Sequence, residues 1–325
     1  MAVAQGARVL KGNDCVWVEK RRFFFESIPP HRRVRLQGGD AARIFFHGAA
    51  VIRYTTDEEE GAPSFEYVCD DRKFDLGSIA PEARRRVRQG LQAFDIRRIE
   101  FGLLEKDGCA INRSVYARQG RMVDSFLTRS DRWARYMKAC AASSIVEAYG
   151  AFLDNRLCGF SIAAFVDDYC YLQHTHAYTE FMKQGPIYAL TFAVTKAALE
   201  RPGVNYVSQG LESFQALPNV DRFKFSMGFR KRPVQRRILI NPLARPLFSS
   251  SGAWITRNIL RYMKPGLLAD FATFTRAIRG DRLKSGFMAS PVAGPSEQMD
   301  EGQVEKLESL ETSARAGIGH EGFHG

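Results

Sequence analysis

From Glu147 to Phe229 the chain alternates strand and helix patterns in an order that leaves few ways to fold. Glu147 to Leu153 reads as a strand that turns at Asp154 and Asn155, two residues that tolerate left-handed backbone angles. Arg156 to Val166 is a long apolar strand, and Asp167 with Asp168 turns the chain into a third, Tyr169 to His174. An irregular stretch, Thr175 to Gly185, leads to Pro186 and a helix over Ile187 to Glu200, with Ile187, Leu190, Val194 and Ala197 on one stripe. Pro202 and Gly203 stop that helix, and Val204 to Ser208 is the next strand. Strands joined by tight turns are antiparallel, whereas a strand–helix–strand crossover makes its two strands parallel. The spacing therefore predicts a meander ending in one parallel pair, with a helix N-terminus beside the gap between the two strands.

The rest of the chain supplies strands first and helices later. Val16 to Val18, Phe23 to Phe25, Arg43 to Tyr54 and Phe65 to Val68 are aromatic or β-branched runs. Ser78 can cap a helix running to about Leu91, Asp95 to Phe101 alternates as a strand, and helices are expected over Gly108 to Gln119 and Asp131 to Ala142. No internal repeat is evident. The fold class is α/β (α+β), a mixed sheet flanked by helices with a β-rich N-terminal extension. The expected divisions are 1–72 for that extension, 73–240 for the main domain, 241–284 for a basic helical segment and 285–325 for a disordered acidic tail.

Charge is unevenly placed within a net of +11. Arg230 to Lys284 holds thirteen Lys and Arg against two Asp, while seven acidic residues outnumber two basic ones beyond it. A basic body attracts phosphorylated cofactors, RNA or an anionic membrane leaflet, and charge alone does not choose among them. No uncharged stretch reaches the ~20 apolar residues of a membrane span, and Met1 to Leu10 lacks the apolar block of a secretory signal. Six widely spaced cysteines without a C-x-x-C pair are expected to be reduced, buried thiols of a cytoplasmic protein. Trp254 to Lys264 and Leu267 to Ile278 are basic amphipathic stretches that can pack on the domain or lie on a membrane surface, so peripheral membrane association is an alternative.

The segments Gly150 to Gly159, Tyr169 to Leu172, Gly185-Pro186, Val204 to Gly210 and Phe223 to Phe229, in that order, resemble the GNAT superfamily of acyltransferases. The branch most similar is related to Fem-type peptidoglycan aminoacyltransferases and is often found near polysaccharide-biosynthesis functions. Phe74 to Leu76 followed by Arg84 to Arg88 is similar to the basic helix that this branch carries upstream. The resemblance covers roughly residues 66 to 240 and implies a GNAT-type sheet with a splayed parallel pair. It also implies acyl-CoA as co-substrate, or aminoacyl-tRNA as in some Fem members. On this reading the N-terminal extension could equally be a degenerate GNAT half. Two departures stand out. The place of the glycine-rich pyrophosphate loop reads Lys183-Gln-Gly-Pro186, with one glycine, and the last helix has Phe223 and Phe225 where many relatives carry a tyrosine as general acid.

Candidate site residues follow from this geometry. Lys183, Gly185, Ile187, Tyr188 and Ala189 form a helix start that can hold a carrier's phosphates, or one simply solvated by water. Leu172 and Gln173, with His174, would offer unpaired main-chain groups to an extended carrier arm if the strands part. Acyl transfer needs a base and donors that polarise a carbonyl, and strand ends near the gap offer His174, His176, Ser208, Gln209 and Glu212. Glu212, His174 and Ser208 are the catalytic candidates; each could instead be structurally hydrogen-bonded. Lys224 can reach donor phosphate or acceptor, and Arg84 and Arg88, one turn apart, can meet a phosphate-bearing substrate. Metal binding is not expected, because no third ligand stands at a recognisable spacing. The expected reaction is direct transfer of an acyl or aminoacyl group to an amine of a small molecule or a glycan or peptide precursor. The rival from another class is a non-catalytic scaffold for an anionic partner.

Overall fold

A computed structural model describes residues 2–57, 61–119, 126–212 and 218–248. The stretch 254–278 and the tail from 285 lie outside the described residues. The strands are β1 (Val9–Lys11), β2 (Val16–Arg21), β3 (Phe24–Ile28), β4 (Val51–Thr56), β5 (Ala62–Cys69), β6 (Asp95–Ile99), β7 (Val146–Leu153), β8 (Arg156–Val166), β9 (Tyr169–Ala177), β10 (Tyr206–Leu211) and β11 (Arg230–Ile240). The helices are α1 (Asp40–Phe46), α2 (Pro81–Ala93), α3 (Phe101–Arg118), α4 (Ser130–Ala141), α5 (Pro186–Glu200) and α6 (Pro218–Ser226). All eleven strands form one mixed sheet in the order β1-β2-β3-β4-β11-β5-β10-β9-β8-β7-β6.

Helices α3 and α4 bury one face of β7, β8 and β9 around Leu104, Ile111, Trp133, Met137, Phe160 and Ile162. The other face packs against α2, α5 and α6 through Val87, Val194, Ala198, Tyr67, Cys170 and Val207. Burial of this size is what drives the layers together, at about 25 cal/mol per Å² of apolar surface. The six cysteines are buried and unpaired. No helix among the described residues is long and apolar enough to cross a membrane.

The strand plan contains a repeat that the sequence hides. β1, β2 and β3 form an antiparallel meander, α1 follows, and β4 returns parallel to β3. β7, β8 and β9 form a second meander, α5 follows, and β10 returns parallel to β9. Each crossover helix starts from a glycine with positive φ, Gly39 at 84° and Gly185 at 81°. The next strand of each unit crosses over: β5 pairs with β10, and β11 inserts between β4 and β5. The expected boundary at residue 72 therefore meets no break in the sheet, since β5 sits among strands of the second unit.

Two expectations about individual elements are corrected, and β11 is a strand that the sequence reading did not assign. The strand expected over Arg43 to Tyr54 is α1 and then β4, divided by Gly48 at φ 89°. The basic run Arg230 to Arg237 belongs to β11, and its Pro233 is tolerated because β11 pairs with β4 only from Gln235 onward. β9 continues to Ala177, past the expected end at His174, because β8 pairs with it that far.

Glu26 on β3 joins the first unit to β11. It accepts from Arg53 Nε at 2.5 Å and from Arg236 Nη2 at 3.1 Å. Burial alone would raise its carboxyl pKa; Arg53, Arg236 and Lys20 outweigh that and bring it down to about 2. A depressed carboxylate stabilises the fold above its unfolded pKa, and the contribution is lost as pH falls through about 2. Its size at neutral pH is about 3 kcal/mol. Glu26→Gln is expected to lower urea stability at pH 7 and to flatten its fall between pH 4.5 and 2; parallel pH dependences in both proteins would contradict this.

Candidate active site at the parting of two strands

β9 and β10 pair for only three residues, Tyr169 with Tyr206, Cys170 with Val207 and Tyr171 with Ser208. β9 then runs six residues further beside β8, while β10 turns toward β5 through a bulge between Ser208 and Leu211. Among the described residues the β9–β10 register does not continue past Tyr171 and Ser208. The sheet thus opens as a wedge.

A polar chain fixes where the wedge begins. The Gly210 N–H donates to Ser208 Oγ (3.0 Å), and the Ser208 hydroxyl donates to Glu66 Oε1 (2.6 Å). Arg232 Nη2 closes the network on Glu66 Oε2 (2.6 Å). Gly210 has φ 85°, a conformation that favours glycine and turns β10 away. Ser208 is fully buried with its hydroxyl committed at both ends. That removes it from the catalytic candidates and makes it the hinge of the strand.

The start of α5 lies beside the wedge. Ala189 N–H already bonds Gly185 O at 3.1 Å, so Ala189 is withdrawn as an anion ligand, and the helix offers the amides of Ile187 and Tyr188. The Tyr188 ring packs edge-on against Phe223 of α6 at 5.0 Å. Lys183 is exposed, and its carbonyl accepts from Arg86 Nη1 at 2.9 Å. Arg86 is therefore the α2 cation at this helix start. Arg84 turns back to the carbonyls of Gly77 and Ile79, and Arg88 is exposed. The sequence signal for Arg86 was Gly90, one turn on, which marks the face of α2 that touches α5. A Cβ on Gly90 would lie 2.6 Å from Gly185 O, and one on Gly185 would lie 2.7 Å from Arg86 O.

At the opposite lip, Lys224 of α6 is buried, with Nζ donating to Gln209 O (3.2 Å) in the β10 bulge. Its ammonium sits 3.8 Å from the Tyr67 ring centroid. Burial lowers its pKa to about 8 against the opposing pull of Asp221. Glu212, one residue past β10, accepts from Ser64 Oγ at 2.9 Å and donates its N–H to Phe65 O at 2.8 Å.

His174 lies on the other face of the sheet, edge-on to Tyr136 of α4 and to Phe126. Burial, then the neighbouring His176 and Lys20, lowers its pKa to about 3. A base that weak takes little from an amine, so His174 is withdrawn as the general base. His176 donates from Nδ1 to Asn112 Oδ1 at 2.6 Å in the tautomer that this geometry favours, and its pKa falls to about 4 through burial. Leu172 packs toward the α5 side, whereas the Gln173 amide oxygen accepts from Tyr136 on the α4 side. Among the described residues no three His, Cys, Asp or Glu side chains are grouped to hold a metal.

No protein-family profile matches the sequence, and no curated protein is significantly similar to it. Solved structures are similar. FemX superposes with a TM-score of 0.53 at 12% identity, over 75% of this chain and 92% of that one. The fold is GNAT-like and Fem-like. A second neighbour is the C-terminal DUF2156 domain of a putative lysylphosphatidylglycerol synthetase from Agrobacterium fabrum, with a TM-score of 0.51 at 9% identity, over 79% and 90% of the two chains.

The glycine at the start of α5 answers to the approach of α2 as well as to its own φ. Gly185→Ala is expected to lower stability by about 1–3 kcal/mol. Gly203→Ala shares the positive φ (83°) but meets nothing within 4 Å, so it should cost less. Equal melting-temperature losses in the two variants would show that helix approach has no part in it.

Proposed function

We propose that this protein is an acyl- or aminoacyl-transferase that passes the group from an activated, phosphate-bearing carrier directly to an amine. The observation that carries the proposal is the wedge: β9 and β10 part after three residue pairs beside the free first amides of α5. An extended carrier arm can pair with the open edge of β9 as an added strand would. Its phosphates then meet the Ile187 and Tyr188 amides, with Arg86 and Lys183 supplying positive charge.

In the proposed reaction the acceptor nitrogen attacks the donor carbonyl while Glu212, a carboxylate at the β10 end, takes the amine proton. Lys224 at the same lip polarises the carbonyl oxygen and returns a proton to the leaving sulfur or oxygen. A proton donor with pKa about 8 suits a leaving thiolate near neutral pH. This assigns to a lysine the acid role left vacant by Phe223 and Phe225. Among the described residues no cysteine or serine joins a histidine and an acid at the wedge, which favours direct transfer over a covalent acyl-enzyme.

The first reading of the carrier is acyl-CoA. Similarity in fold to FemX supports the second, an aminoacyl-tRNA donor with a cell-wall or polysaccharide precursor as acceptor. Acetyl-CoA is expected to raise the melting temperature of the purified chain, and Arg86→Ala should abolish that shift while Arg88→Ala leaves it. Activity lost on ribonuclease treatment, with no coenzyme A shift, would instead select the second carrier. Glu212→Gln and Lys224→Met should each lower turnover at least a hundredfold with donor binding retained. Full turnover in both variants would overturn the assigned roles, and a chain that binds neither carrier would be a scaffold.

A further inference from the structure

Asp221 and Lys224 stand three residues apart on α6, a spacing at which opposite charges ordinarily pair. Here they do not: the Asp221 carboxylate accepts from the Tyr67 hydroxyl at 2.6 Å, and Lys224 Nζ goes to the Gln209 carbonyl. Tyr67 comes from β5, a strand of the first repeated unit that pairs with β10, and it is almost fully buried. Its ring lies under the ammonium while its hydroxyl occupies the carboxylate, so one side chain touches both partners of the unmade ion pair.

We infer that Tyr67 is a positioning residue that keeps Asp221 from closing on Lys224 and so leaves the ammonium available at the wedge. The inference rests on Lys224 belonging to the proposed site. Burial, then the Asp221 charge and more weakly Glu212, raises the Tyr67 pKa, so the hydroxyl stays protonated and remains a donor to Asp221. The charged groups around Lys224 are few. Its own helix carries Asp221 and exposed Arg222, β5 carries Tyr67, and Glu212 follows β10. From β11, Lys231 stands over the Phe65 ring at 4.3 Å and the Phe225 ring at 5.7 Å. Asp221 is the charge that acts on Lys224, and it opposes the effect of burial. Without the Tyr67 hydroxyl that carboxylate turns to the ammonium and holds its proton more tightly.

The test is competitive acetylation of the intact, donor-free chain with limiting acetic anhydride from pH 6 to 11, with Lys224 and exposed Lys196 read by mass spectrometry. Tyr67→Phe, which keeps the ring, is expected to raise the Lys224 midpoint by about one pH unit and to lower its labelling at pH 8 about fivefold. Lys196 should not change. Adding Asp221→Asn to Tyr67→Phe should bring the midpoint back to or below the wild-type value. A midpoint unmoved by Tyr67→Phe, or raised equally with and without Asp221, would overturn the inference. Because no donor is present, failure here is distinct from failure of the transferase reading, which would appear as absent carrier binding with the Lys224 titration as expected.

Discussion

The geometry of the site depends on a short polar relay. Gly210 N–H, Ser208 hydroxyl, Glu66 carboxylate and Arg232 guanidinium are linked in sequence across β10, β5 and β11. Arg232 is itself seated near the rings of Tyr169 and Tyr206, 5.0 Å from each centroid. A buried carboxylate is costly unless charge and hydrogen bonds compensate it, and here both of its oxygens are occupied. The relay holds β10 to β5 where its pairing with β9 stops. Its loss would remove a restraint, alongside the Gly210 turn and the β10–β5 pairing, that keeps the wedge open.

The first unit shows what happens to such an opening when the chain fills it. β3 and β4 also pair for three residues only, from Phe24 with Val51 to Glu26 with Arg53. Beyond that point Val34 N–H donates to Thr55 O at 2.8 Å, and the Thr55 hydroxyl donates to Pro30 O at 2.7 Å. Residues 30–34 thus lie along β4 where a longer β3 would have paired. The same segment reaches the second unit: His31 stacks on Tyr169 at 4.1 Å, and His31 and Arg32 bind Asp167 at the β8–β9 turn. One opening is occupied by the protein's own backbone, and its occupant braces the strand that borders the other.

How much of this was legible follows from the range of the interactions. The meander over residues 147–177 was readable because its turns are local: Asp154, Asn155 and Asp167 adopt positive φ, and the apolar runs between them are long. The helix start at Gly185-Pro186 was readable for the same reason. β11 was not, because five Lys and Arg within its eleven residues mimic a solvated charge run, and Asp70, Glu66 and Glu26, which pair with Arg230, Arg232 and Arg236, lie far away in sequence. Ser208 invited a catalytic reading because its partner Glu66 lies 142 residues away, and Arg86 was passed over because its partner lies 97 residues away. The exchange of β5 and β11 is invisible to pattern, since it concerns which strands meet rather than which residues form them.

That exchange explains why a lysine and a tyrosine from different units can be one functional group. Lys224 belongs to α6 and Tyr67 to β5, and they meet because β5 pairs with β10 directly beneath α6. With Phe223 and Phe225 in α6, that helix brings no phenol of its own, and the neighbouring ring at 5.7 Å from Phe225 is Tyr67. The first unit, its own opening filled, therefore still contributes to the other opening through the strand it lends. A chain that lost β5 would lose Glu66 and Tyr67 together, and with them both the relay that parts the strands and the group that separates Asp221 from Lys224.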